Sequence, residues 1–207
     1  MVNGEVGHTR TQAQRSESTQ AALVAAARRL FAAHGYAGTP REDVVAAAGV
    51  TRGALQHHFG DKASLFRAVY EQVEQEIVAA VAEAAMTVAG DPVEELRAGC
   101  HAYLDAVLDP AVQRICAIDG PAVLPADVRQ EITDRYALGL VRDALEHAMA
   151  AGQIEKVPVE PFARVLLAGV TAAAEYVALA PDPRRARRDA GRTLDLVLDR
   201  LQTRHVR

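Results

Sequence analysis

Tryptophan is absent from the 207-residue chain, and only 4% of its residues are aromatic. A core with so few rings must be filled by aliphatic side chains. Half the residues are hydrophobic, and alanine carries much of that share in AAA-rich segments. Alanine is the strongest helix former and lets helices approach closely, so an all-α fold is expected. Strand-like alternation and internal repeats are also missing. Cysteine is scarce: Cys100 and Cys116 are too few and too far apart for a disulfide scaffold and fit a reducing compartment. The most apolar stretch, Val165 to Ala174, is interrupted by Gly169 and Thr171 and is too short to span a bilayer. The opening "MVNGEVGHTRTQAQRSES" has no apolar core of a signal peptide. A soluble cytoplasmic protein with no membrane partner is therefore expected. There is no nucleophile–base motif, metal-ligand spacing or Gly-rich phosphate loop, so no cofactor is implied. An enzyme reading would rest on isolated groups such as Asp119, His101, Glu175 or Cys100.

Charge is distributed unevenly. The net charge of −4 divides into +3 over residues 1–67 and −7 over the remainder. A basic head on an acidic body suits polyanion binding by the head alone.

Helix punctuation is plentiful. Residues 1–16 are polar and aperiodic and read as a disordered arm, in which Arg10 and Arg15 either enter a minor groove or belong to a plain tail. Ser16 or Ser18 is expected to cap a first helix, with Leu23, Ala26, Ala27, Leu30, Phe31 and His34 at helical spacing and Gly35 just past its end. "TPRE" offers Thr39 as cap, Pro40 at the first position and Glu42 at the third. Gly49 ends that short second helix, and Thr51 caps a third over residues 52–58, closed by Gly60. Asp61 caps a fourth from Lys62 to about Val88, striped by Leu65, Val69, Val73, Ile77 and Ala80. Asp91-Pro92 and Asp109-Pro110 open two more. "DGPAVLP" (119–125) reads as a break. A seventh helix is predicted over 126–151, an eighth between Pro158 or Pro161 and Pro181, and a ninth from "DPRR". The run "RRARR" (184–188) opens that last helix and reads as a solvated or dimer-pairing face rather than a nucleic-acid patch. The expectation is nine helices.

Two short helices joined by "AGVT" (48–51) have the form of a helix-turn-helix, whose second helix lies in the DNA major groove. Gly49 supplies the positive φ of the turn and Val50 plugs it. Leu55 and Phe59 share the core face; Arg52, Gly53, Gln56 and His57 then point outward. Arg pairs bidentately with guanine and Gln with adenine. His57 or His58 and Lys62 sit where phosphate would lie, with the helix starts at Thr39 and Lys62 offering backbone N–H groups. Zinc binding by the adjacent His57 and His58 is disfavoured, because neighbours on a helix point about 100° apart.

Residues 19–66, "TQAALVAAARRLFAAHGYAGTPREDVVAAAGVTRGALQHHFGDKASLF", resemble the DNA-binding region of the tetracycline-repressor (TetR) family. The marks are Leu30, Phe31, Gly35, Thr39, Ala48, Gly49, Val50, Gly53, Leu55, His58, Phe59, Lys62 and Leu65. Two departures stand out: Gln56 where the family commonly has Tyr, and Arg41 where an apolar residue is usual. The resemblance implies a helix-turn-helix domain at 17–66 contacting DNA through Thr39, Arg41, Thr51, Arg52, Gly53, Gln56, His57, His58 and Lys62. It implies a ligand-binding and dimerisation domain at 67–207. The function implied is a repressor that binds a palindromic operator in double-stranded DNA as a homodimer and is released by a small-molecule effector. An effector pocket is expected from Met86, Cys100, His101, Tyr103, Leu104, Ile115, Ile118, Tyr136, Leu140, Val170 and Tyr176, mostly apolar and so suited to a hydrophobic ligand. His101 and Tyr103 line that pocket or merely satisfy local bonds. The dimer face is expected from the small-residue side of helix 8, Val177, Leu194, Val197, Leu198 and Leu201. An alternative is a DNA-binding regulator answering a protein or thiol-redox signal through Cys100 and Cys116.

Overall fold

The computed structural model describes residues 12–88 and 90–202. Joining segments that run on without a break gives nine helices among them, and the one β element is an isolated bridge between Ile154 and Gln202. We label the helices α1 (Gln12–His34), α2 (Arg41–Ala48), α3 (Arg52–Phe59), α4 (Lys62–Thr87), α5 (Pro92–Ala106), α6 (110–123), α7 (126–150), α8 (Val159–Leu179) and α9 (Pro183–Leu201). The contacts divide into two units, which meet in sequence within α4 between Val69 and Tyr70.

The first unit packs α1, α2 and α3 on one another, with Leu23, Ala27, Phe31, Val44, Leu55, Leu65, Phe66 and Val69 buried. Aromatic residues are rare in the chain, yet three meet here. The Phe66 ring stands edge-on to those of Phe31 and Tyr36, each 5.3 Å away between centroids. Such pairs add to the area they bury, about 0.5–1.5 kcal/mol each.

Two expectations need correction. Helix α1 begins at Gln12, so residues 12–16, Arg15 included, are helical and Ser16 and Ser18 lie inside the helix; Arg10 falls outside the described residues. Thr39 does not cap α2. Its side chain is buried, and its hydroxyl donates to the carbonyls of Gly35 (2.8 Å) and Leu30 (3.2 Å), leaving Pro40 as the flanking residue. The hydroxyl thus satisfies the last turn of α1 instead of the first turn of α2.

In the second unit α5 lies against α9 and α7, and α8 against α9, α7 and α5. Asp91, Asp109 and Asp182 accept backbone N–H bonds at the starts of α5, α6 and α9, as their Asp-Pro signatures predict. Helix α8 is long and apolar enough to cross a membrane by length and composition, a property the shorter window 165–174 hides. Its Ala163, Leu166, Leu167, Val170, Ala174 and Val177 are buried within the unit.

The predicted break at 119–125 is only partly real. Residues Gln113–Asp119 form a π-helical stretch, and Gly120–Val123 continue as α-helix; the chain leaves the helix at Leu124. Gly120 is present for closeness rather than for a turn. A Cβ there would lie 2.8 Å from Tyr70 Cε2 and 3.1 Å from the Ile115 carbonyl oxygen. A second π-helical stretch, Asp134–Leu138, widens α7. Single π turns inside α-helices often mark functional sites, and both of these border the cavities described below.

Candidate nucleic-acid interface and trunk cavities

The turn between α2 and α3 is built as its residues require. Gly49 has φ of +66°, and its N–H bonds back to the Ala46 carbonyl at 3.2 Å. Thr51 caps α3 by accepting from the Ala54 N–H at 3.2 Å. Leu55 is fully buried and locks α3 against its neighbours, while Phe59 and Val50 are half-buried and contribute less than expected. Arg52, Gly53, Gln56 and His57 all face solvent. A Cβ at Gly53 would meet only the Thr51 hydroxyl, at 3.8 Å, so nothing inside the chain demands glycine there.

Side chains around this face are already organised. Arg41 on α2 donates to Gln56 Oε1 at 2.8 Å and to the Gly60 carbonyl at 3.3 Å. The two residues that depart from the family pattern are therefore partners. Arg52 stands 3.8 Å from Glu42, with both side chains largely exposed. Lys62 Nζ sits 4.2 Å above the Tyr36 ring, and burial together with the nearby Asp61 raises the Tyr36 pKa. His57 and His58 pack ring edge to face, 5.3 Å apart, with His58 half-buried beside Phe59. Asp61 accepts from the Ser64 N–H at 2.7 Å, which holds its carboxyl below the usual range and fixes the start of α4.

Two cavities stand out among the described residues of the second unit. The larger, about 520 Å³, is lined from α4 to α8 by polar and apolar groups together, among them Tyr70, Glu74, Tyr103, Gln113, Cys116, Arg129, Thr171 and Glu175. The smaller, about 380 Å³, is almost wholly apolar, with Val78, Val81, Met86, Leu96, Cys100, Leu140, Leu166 and Val170 on its walls. Tyr103 and Leu167 belong to both. Gly99 allows the approach of α5 to α4, since a Cβ there would lie 3.2 Å from Val81 Cγ1.

Electrostatics differ between them. Burial pushes the Glu74 carboxyl up to about 7, against the hydrogen bond from Tyr70 that favours its ionised form. Burial likewise raises the Tyr70 and Tyr103 hydroxyls, with Tyr103 bonded to Thr171. Cys100 is pushed up to about 11, chiefly by burial, so little thiolate is present near neutral pH and its reactivity is low. Cys100 and Cys116 are both free thiols.

Of the expected pocket residues, Met86, Cys100, Tyr103, Leu140 and Val170 are brought together, in the apolar cavity, with Tyr103 shared. The others are placed elsewhere. Leu104 and Ile115 are core residues, Ile118 and Tyr176 are exposed, and Tyr136 is half-buried outside both cavities. His101 faces α9: its Nε2 is 2.8 Å from Asp195 Oδ1 and its Nδ1 2.9 Å from Arg187 Nη1. A guanidinium only donates, so Nδ1 accepts and Nε2 carries the hydrogen. Around it Arg97 reaches Asp195 (2.9 Å) and Asp199 (2.7 Å), and Arg187 reaches Asp105 (2.6 Å). This network braces α5 to α9 and takes up Arg187 of the "RRARR" run. The groups that reasoning from sequence missed are Glu74, Arg129 and Gln113. Charged helical residues read as solvent-facing; the available signal was that Glu74 follows Tyr70 by four, beside the buried row Val69, Val73 and Ile77.

The expected dimer residues also need correction. Val177, Leu194 and Leu198 are buried in their own unit and Leu201 is half-buried; Val197 alone of the set is exposed. The strongest apolar stripe of an amphipathic helix faces its own core. The free apolar surface is one step round, where Val165, Tyr176 and Leu179 of α8 and Leu196 and Val197 of α9 are exposed.

An all-helical chain with this helix-turn-helix and its outward Arg, Gln and His side chains is a DNA-binding regulator by class. Comparison with known proteins specifies the class further. A model of the bacterial regulatory proteins of the tetR family matches residues 23–69, and one of the tetracyclin repressor-like C-terminal domain matches residues 93–201. The chain belongs to the tetracycline-repressor family of transcriptional regulators. The chain is 47% identical over 68 positions to the HTH-type transcriptional regulator CymR of Pseudomonas putida, covering 33% of this chain and 34% of that protein. The match to AcrR of Shigella flexneri is 37% over 84 positions, 41% of this chain and 39% of the relative. The chain thus matches little more than a third of the length of these curated relatives. A TetR-family regulator structure from Pectobacterium atrosepticum superposes with a TM-score of 0.82 and 32% identity, over 94% of this chain and 99% of that one.

Proposed function

We propose that the protein is a ligand-responsive repressor, acting in the cytoplasm, that binds a palindromic operator as a homodimer and leaves it when a small molecule enters the trunk. The observation that carries this reading is the outward face of α3. Arg52, Gly53, Gln56 and His57 are presented to solvent by a helix locked through Leu55, in a turn that needs none of them for its own packing. Phosphate contacts would come from Lys62, His58 and the Thr51 region. Thr39, with its hydroxyl committed to α1, could offer only backbone. The exposed apolar face of α8 and α9 supports the dimer, and a two-fold dimer reads two half-sites about one DNA turn or a multiple apart. The mixed cavity is the effector site in this reading. Helix α4 belongs to both units in sequence, so a ligand against Tyr70 and Glu74 touches the helix that begins at Lys62.

Arg41 sharpens the role of Gln56. Reading adenine requires the Gln amide to donate to N7 and accept from the exocyclic amine. Arg41 occupies one lone pair of Oε1 and so orients the amide, leaving the NH2 group and a second lone pair for a base. Selection of operator from random DNA, followed by anisotropy titration, tests the whole reading. Gln56→Ala should cost about 1–3 kcal/mol on the selected site and far less on scrambled DNA. Equal losses on both would show that Gln56 does not read a base.

A further inference from the structure

The larger cavity is lined by a cation with one buried N–H that the fold does not satisfy. Arg129, in the second turn of α7, has its Nε buried with no hydrogen-bond partner. None of the ion pairs found among the described residues engages its guanidinium, whereas the other charges on the wall are paired, hydrogen-bonded or exposed. Arg164 is held by Asp134 (2.8 Å) and Glu160 (2.9 Å), Glu74 is bonded by Tyr70, and Glu175 is exposed. Leaving a buried cationic donor unpaired is costly, and a planar oxyanion, which a guanidinium binds with two parallel hydrogen bonds, is what relieves that cost. Opposite charge on the ligand would find Glu74, which burial keeps about half protonated near neutral pH, and Glu175, which is exposed and screened by solvent. Apolar side chains complete the wall, with Val107, Val112, Leu167 and the Tyr70 and Tyr103 rings among them. The apolar cavity beyond Tyr103 contains no such unpaired cation.

We propose that the larger trunk cavity binds a small organic acid, its carboxylate taken by Arg129 and its carbon body laid on the apolar wall. This rests on the reading of that cavity as the effector site and names the chemical class of the effector. It adds an acid group to the mostly hydrophobic ligand expected from the sequence, and places it in a cavity other than the one that Met86, Cys100, Leu140 and Val170 line.

The test uses calorimetric titration of the full chain with five probes. Benzoate and cyclohexanecarboxylate carry the acid; benzamide and cyclohexanecarboxamide are their neutral isosteres; benzylamine carries the opposite charge. Both acids should bind about tenfold or more tightly than their amides, the range expected of a charge-assisted pair. Arg129→Gln should abolish that ratio, and Arg129→Lys should restore part of it. Unchanged far-UV circular dichroism and operator binding of the unliganded variants would show that they fold. Equal binding of acids and amides, tighter binding of benzylamine, no binding of any probe, or a ratio surviving in Arg129→Gln would each overturn the proposal. Release from operator DNA is read separately. Acids that bind through Arg129 yet leave the DNA complex intact would uphold the ligand class and sink the effector reading.

Discussion

The head (12–69) and the trunk (70–202) are both bundles of short and medium helices, yet they treat their interiors in opposite ways. The head concentrates Phe31, Tyr36 and Phe66 into one ring cluster and buries little polarity beyond Thr39, whose hydroxyl is fully used. The trunk has small side chains, two cavities and buried ionisable groups such as Glu74 and Asp119. A reading head must hold its side chains still, since recognition depends on geometry fixed before the encounter. A trunk that receives a ligand, as proposed here, must leave room and keep unspent polar interactions for it. Two glycines illustrate the contrast. Gly120 in the trunk is imposed from inside by the Tyr70 ring, whereas nothing inside the head imposes Gly53.

The largest expected effect lies in the head. Phe66→Ala removes the shared partner of two ring contacts from a fully buried site and should cost about 3–5 kcal/mol. Urea denaturation followed by operator binding checks this. A cost below about 1 kcal/mol would mean that the ring cluster is not what holds the head together.

Next comes the trunk's buried acid. Glu74 is pushed from the ordinary 4.5 up to about 7 by burial. Between these values the folded state holds a proton that the unfolded chain has released, so stability falls as pH rises through that window and levels off above about 7. The groups facing it, the Tyr70 and Tyr103 hydroxyls, keep their protons throughout. Glu74→Gln should therefore leave stability nearly unchanged at pH 4.5 and raise it at pH 8, on the order of 3 kcal/mol. Equal melting-temperature changes at both pH values would place Glu74 in a wetter site than its burial indicates.

Legibility in the sequence follows the range of the interactions. Capping and turn chemistry is local, so Gly49, Thr51, Asp61, Asp91, Asp109 and Asp182 could be assigned their roles from neighbours a few residues away. The outward face of α3 was legible for the same reason, because Leu55 fixes the phase of an eight-residue helix. Thr39 shows the limit: its motif permits a cap at α2, and a bond nine residues back to Leu30 outcompetes it. Distant pairings left no trace of this kind. For His101 the sequence leaves a pocket role and a bonding role open, and the choice is made by Asp195 and Arg187, more than eighty residues on, which hold it toward α9. The dimer residues failed by phase, since the best apolar stripe of α9 marks its own core. The cavity was half legible: apolar lining residues could be guessed, but Arg129 and Glu74 carry charges that ordinarily signal a solvated face.

The smallest effect gives the sharpest separation of the two regions. Glycine in the middle of a helix is less stable than alanine by roughly 0.5–1 kcal/mol. Gly53 is the second residue of α3, where that difference is smaller, and a methyl group there would touch only the Thr51 hydroxyl, at 3.8 Å, so Gly53→Ala should stabilise the head by about 0.5 kcal/mol or less. At Gly120 the same change drives a methyl to 2.8 Å from the Tyr70 ring and must destabilise the trunk. Evolution of a merely stable head would then have no use for glycine at position 53. If the residue serves close approach of α3 to the groove, Gly53→Ala should weaken operator binding severalfold while raising the melting temperature. A variant that is more stable and binds operator as tightly as before would show that the groove does not press on this position. The reading surface would then be confined to Arg52, Gln56 and His57.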